Sequence, residues 1–95
     1  MSIFIVRVEL TREIHSQYLL LRDNLLAIGF TKRIKSKEGV EYRLPNGNYL
    51  IDTESNIDTV FKAVQKVALT IDKSPMILVT ESKPKGNEWS GLQRC

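Results

Sequence analysis

FTKRIKSKEGVEYRLPNGNYLI, residues 30–51, is the stretch whose reading decides the fold. Phe30 and Ile34 mark the inner face of a short strand over residues 30–36, with Arg33 and Lys35 on the outer face, because side chains alternate along extended chain. Lys37, Glu38 and Gly39 read as a turn. Val40, Tyr42 and Leu44 then share one face of a returning strand, and Glu41 and Arg43 share the other. Pro45-Asn46-Gly47-Asn48 is a strong turn or bulge signal, after which residues 49–52 resume extended structure. The pattern leaves open whether residues 40–52 are one bent strand or two. In either case the middle of the chain is a hairpin.

Ahead of the hairpin, residues 2–10 alternate: Phe4, Val6, Val8 and Leu10 point one way, and Ile3, Ile5, Arg7 and Glu9 the other. The first half is apolar on both faces, which suits a central strand. Thr11 is placed to cap a helix with Glu13 in its first turn. Ile14, Tyr18, Leu21, Leu25 and Ile28 recur at steps of four and three, with Leu19, Leu20 and Leu26 widening the stripe. Gly29 sits where a glycine closes a helix. Behind the hairpin, Ser55 followed by Asp58 resembles a capping box. Ile57, Val60, Phe61, Val64, Val67, Ala68 and Ile71 make a second helical stripe. Residues 72–75 break it, and residues 76–80 read as a buried-type strand.

The order is βαββαβ. Right-handed crossovers joined by a hairpin give an α+β, ferredoxin-like fold, an antiparallel sheet in the order 4-1-3-2 with both helices on one face. The expected domain spans residues 1–81. Residues 82–95 contain Pro84, Gly86 and Gly91 among polar groups without periodicity, and read as a flexible tail with Trp89 as its one aromatic.

A chain of 95 residues fits one domain that buries roughly 60–65% of its unfolded surface. Its 42% hydrophobic and 26% charged residues argue against global disorder. The single cysteine, Cys95, cannot close an internal disulfide, so a reducing, cytoplasmic setting is expected. No segment approaches the roughly 20 apolar residues that span a bilayer, and the first ten lack the pattern of a signal peptide. No membrane partner is expected.

The net charge of +3 permits nucleic-acid binding, and its location is informative. Residues 31–43 hold five cations, Lys32, Arg33, Lys35, Lys37 and Arg43, against Glu38 and Glu41. Lys32, Arg33, Lys35 and Lys37 are the candidate RNA-binding residues. Arg7 and Glu9 on the first strand, with Arg43 from its neighbour, are the candidate catalytic set on the open sheet face. The same arrangement also describes an ordinary solvated face with a cross-strand salt bridge. With one histidine, His15, read as a surface helix residue, there is no metal-ligand cluster and no nucleophilic triad. No Gly-rich phosphate loop is present either, so no metal or cofactor is expected. RNA cleavage does not need them. The 2′-hydroxyl attacks the adjacent phosphate, and the protein orients it, moves a proton and stabilises the anionic phosphorane. The open face lacks paired aromatics for base stacking.

The helix ending before an aromatic, the short strand, the Gly-containing turn, the strand ending in Leu44, the Asn-rich break and the renewed strand of residues 30–51 resemble the GhoS family. The opening V-R-V-E-L of residues 6–10 and the helix over residues 57–71 fit the same layout. This resemblance, across about residues 2–80, implies a ferredoxin-like fold akin to small CRISPR-associated ribonucleases. It also implies an antitoxin that cleaves a toxin's single-stranded messenger RNA. It supplies no catalytic residues; those named above come from the charge pattern. The alternatives are a non-catalytic module that forms a homodimer and grips a protein or nucleic acid, and an inhibitor that presents its charged face to an enzyme. Ile3 and Ile5, too apolar for an open face, favour the homodimer.

Overall fold

Residues 2–12, 14–36 and 38–82 are described by a computed structural model. The elements are β1 (Ser2–Glu9), α1 (His15–Ala27), β2 (Arg33–Lys35), β3 (Glu41–Arg43), β4 (Asn48–Thr53), α2 (Ile57–Leu69) and β5 (Met76–Ser82). The fold is α+β and ferredoxin-like, with the expected third strand divided into β3 and β4.

β1 is central and antiparallel to both neighbours, β4 on one side and β5 on the other. β2 and β3 form their own antiparallel ladder. Thr31 joins the two pieces, exchanging two 2.8 Å backbone hydrogen bonds with Leu50. Counted as the four expected strands, with β4 and β3 as the inner and outer parts of the third and β5 as the fourth, the order is 4-1-3-2.

The division has a local cause. Gly47 has a φ of 80°, a left-handed conformation that only glycine adopts without strain. Its carbonyl accepts a 2.8 Å hydrogen bond from the Val8 amide. A Cβ at Gly47 would stand 2.9 Å from the Val8 carbonyl oxygen. The turn is thus pressed against the end of β1, and β4 pairs with β1 from Asn48 onward.

The core lies between the sheet and the two helices. Phe4, Val6 and Val8 from β1 meet Leu21 and Leu25 from α1 and Val60, Val64 and Ala68 from α2 in one cluster, so both helices cover the same face. Phe30, Ile34 and Tyr49 are also buried. Burying each large apolar side chain contributes roughly 1.5–3 kcal/mol against the entropy of ordering the chain.

The helix ends differ from expectation at three points. α1 begins at His15, its N-cap is Ile14, and no side chain caps it. Thr11 is occupied elsewhere. Its amide donates to Asp72, and its hydroxyl lies 3.0 Å from Asp72 Oδ1 and 3.2 Å from the Ser74 carbonyl. This ties the loop before α1 to the loop before β5. In α2 the cap is Asn56, whose side chain accepts from the Thr59 amide at 2.9 Å, rather than Ser55. Ile14 and Ile28 do not join the buried stripe of α1; both are exposed, as are Leu20 and Leu26. Gly29 does close α1. Its amide and that of Phe30 reach back to the carbonyls of Leu26 and Leu25, so the two amides satisfy the end of the helix.

β5 runs to Ser82, past the expected end at Thr80. The expected tail lies, from residue 83, outside the described residues.

Candidate nucleic-acid interface

Register fixes what the open face presents. Ile3, Ile5, Arg7 and Glu9 alternate with the buried residues of β1. Leu50 stands opposite Ile5, Asn48 opposite Arg7, Leu78 opposite Arg7 on the other side, and Met76 opposite Glu9. Thr31 faces Leu50, so Arg33 and Lys35, two and four residues on, continue the same face. Lys35 pairs in register with Glu41, and Arg33 with Arg43. The face is apolar at its β5 edge and basic at the hairpin.

Of the expected catalytic set, two residues meet and one does not. Arg7 Nη2 lies 2.6 Å from Glu9 Oε1, both side chains being open to solvent. Arg43 is not beside them. It stands opposite Arg33 on the hairpin, because the Gly47 turn gives the place across from Arg7 to Asn48 of β4. Arg33 and Arg43 are like charges in direct register, and Glu41, 3.7 Å from Arg33 Nη1, offsets them.

The expected RNA-binding residues also divide. Arg33 and Lys35 are exposed on the outer face. Lys37 lies outside the described residues. Lys32 turns to the opposite side. Its ammonium sits 4.3 Å from the centre of the buried Tyr49 ring and donates to the Asn48 carbonyl at 3.1 Å. Burial first, and the nearby Arg22 guanidinium second, hold the Lys32 pKa below its ordinary value.

Around Lys32 lies a cleft of about 560 Å³ that the charge pattern does not suggest. Glu9, His15, Tyr18, Arg22, Lys32 and Tyr49 line it, with Gly47 and Asn46 at the turn. The Tyr18 hydroxyl accepts from the Leu10 amide at 2.9 Å, which fixes α1 against the end of β1. Arg22 is held by Asp23 at 3.0 Å. Two signals in the sequence point to this cleft. His15, Tyr18 and Arg22 recur at helical spacing on one side of α1. Lys32 has the same parity as Phe30 and Ile34, the inward residues of its strand.

Among the described residues no group of three or more His, Cys, Asp or Glu is placed to hold a metal ion. No helix among them is long and apolar enough to cross a membrane. The chain matches no protein-family model, and no curated protein is significantly similar to it.

Proposed function

We propose that the protein binds single-stranded RNA along its open sheet face and cleaves it, as a small endoribonuclease of the GhoS-like antitoxin type. The observation that carries the reading is the outward cluster of Arg33, Lys35 and Arg43, with Glu41 as the carboxylate that meets it among the described residues. Phosphates are the chemistry such a row fits, since guanidinium groups pair with phosphate oxygens in two-pronged fashion.

The chemistry rests with Arg7 and Glu9. In the free protein they engage each other. A backbone phosphate laid beside β1 competes for Arg7 and releases the Glu9 carboxylate. Glu9 then takes the 2′-hydroxyl proton. The 2′-oxygen–phosphorus bond forms as the 5′-oxygen–phosphorus bond breaks, Arg7 neutralises the phosphorane, and water protonates the departing 5′-oxygen. The products are a 2′,3′-cyclic phosphate and a 5′-hydroxyl end.

Single-turnover cleavage of a mixed-sequence single-stranded RNA, read beside equilibrium binding, tests this. Arg7→Ala and Glu9→Gln lower the cleavage rate more than the affinity. Undiminished cleavage by the double variant places the chemistry elsewhere. Binding without cleavage by the unmodified protein leaves a non-catalytic module. That second reading has its own support: Met76 and Leu78 on the open face at the β5 edge are 61% and 63% exposed, and such apolar groups fit a second copy of the chain.

A further inference from the structure

The cleft on the helix side is a different kind of surface from the open face. Its volume of about 560 Å³ lies within the range of small-ligand sites, roughly 300–1,000 Å³. Its walls come from the end of β1, the first two turns of α1 and the Gly47 turn, all held by backbone hydrogen bonds or the Tyr18 clasp.

The charges in it are unbalanced. Lys32 is half-buried, and its polar contacts are one carbonyl and the face of an aromatic ring. Among the described residues no carboxylate pairs with it. The nearest charge to influence it is another cation, Arg22, and the Lys32 ammonium is disfavoured by both burial and that neighbour. The one carboxylate on the lining, Glu9, already engages Arg7. Arg22 is held by Asp23, whose exposed carboxylate makes a weak, exchangeable partner. His15 adds an imidazole at the first residue of α1. Among the described residues no side chain caps that helix start, where the positive end of the helix dipole lies.

We propose that this cleft is a phosphate-binding site. Lys32 and Arg22 take the phosphate oxygens, His15 supplies a further donor, and the group is carried by a nucleotide or is free phosphate. A dianionic group matches two cations and a helix terminus better than a singly charged carboxylate. Tyr49 lies under Lys32 with its ring covered, so the anion and not a stacked base is recognised. The site does not depend on the RNA reading, because Arg33 and Lys35 lie on the opposite face.

Amide chemical shifts of the full chain, titrated with inorganic phosphate, with adenosine monophosphate and with adenosine at matched chloride concentration, test the proposal. Both phosphate probes give saturable shifts at His15, Arg22, Lys32 and the Gly47 turn, and adenosine gives none. Equal affinities identify the phosphate group alone as the ligand; tighter binding of the monophosphate identifies a nucleotide. Lys32→Met and Arg22→Gln each weaken binding about tenfold, the loss expected for one charge-assisted contact. Arg22 is partly exposed, so its variant keeps the fold even if Lys32→Met disturbs it. Replacing both Arg33 and Lys35 by Ala leaves these shifts unchanged even where it abolishes RNA binding. Absence of shifts at the cleft with both phosphate probes, equal response to adenosine, or undiminished binding by the Arg22 variant overturns the assignment.

Discussion

Tyr49 gives the residue scale its sharpest readout. It is buried, and burial pushes its phenol up to about 12. An acid raised in the folded state is stabilising below its unfolded pKa of 10.0, and that contribution is lost as pH rises towards the folded value. Its size is on the order of 2–3 kcal/mol by the conversion of pKa to free energy. The hydroxyl makes no hydrogen bond to another described residue, so Tyr49→Phe costs little at neutral pH and flattens the decline in stability between pH 10 and about 12. Denaturant unfolding across that range checks it, and an unchanged decline contradicts it. This scale is also where the sequence misled. Charge groups Lys32 with Arg33 and Lys35, whereas alternation places it with Phe30 and Ile34. His15 looked solitary because its neighbours Lys32 and Tyr49 arrive from the hairpin and β4, at separations that no local pattern reveals.

Among the elements, the Gly47 turn and the Thr11–Asp72 clasp determine how the pieces join. Gly47→Ala adds a left-handed alanine and a Cβ 2.9 Å from the Val8 carbonyl oxygen. The backbone has to shift, with a cost of roughly 2–3 kcal/mol from strain of this kind, and β1–β4 pairing at Asn48 loosens first. Thermal unfolding together with amide exchange at Val8 measures both; an unaltered melting temperature contradicts the account. Asp72 accepts from the amides of Thr11 and Ser74, and these bonds hold its carboxyl below the ordinary range. A depressed acid stabilises above its unfolded pKa, 3.8, and the contribution fades as pH falls through the folded value. Asp72→Asn therefore lowers the melting temperature at neutral pH and makes little difference in strong acid. Equal losses at both pH values contradict the linkage. The start of α1 was illegible for the same reason the clasp exists: Thr11 is a good cap by residue type, but its partner stands 61 residues away. The end of α1 at Gly29 was legible because that closure is local.

At the scale of the molecule, two helical stripes around a hairpin were enough to give the ferredoxin-like order, both helices on one face and the centrality of β1. The turn signal at residues 45–48 marks the place of the break but leaves open one bent strand or two, because the docking of Gly47 on Val8 is a contact made only in the assembled sheet. That break is what moves Arg43 away from Arg7. On the non-catalytic reading, the exposed Met76 and Leu78 at the β5 edge seat a second copy of the chain. Light scattering then gives about twice 10.9 kDa at high concentration, and Leu78→Lys returns the monomer. A monomer throughout removes this surface from the account. The central claim is that the outward hairpin cations hold RNA. It is tested most directly by the affinity for a single-stranded RNA measured against salt concentration, for the parent and for the protein with Arg33→Ala and Lys35→Ala together. Each phosphate contact adds about 0.7 to the logarithmic salt slope, so the double variant loses roughly one to one and a half units of slope while its melting temperature holds. An unchanged slope, or no RNA binding by the parent at low salt, contradicts the claim.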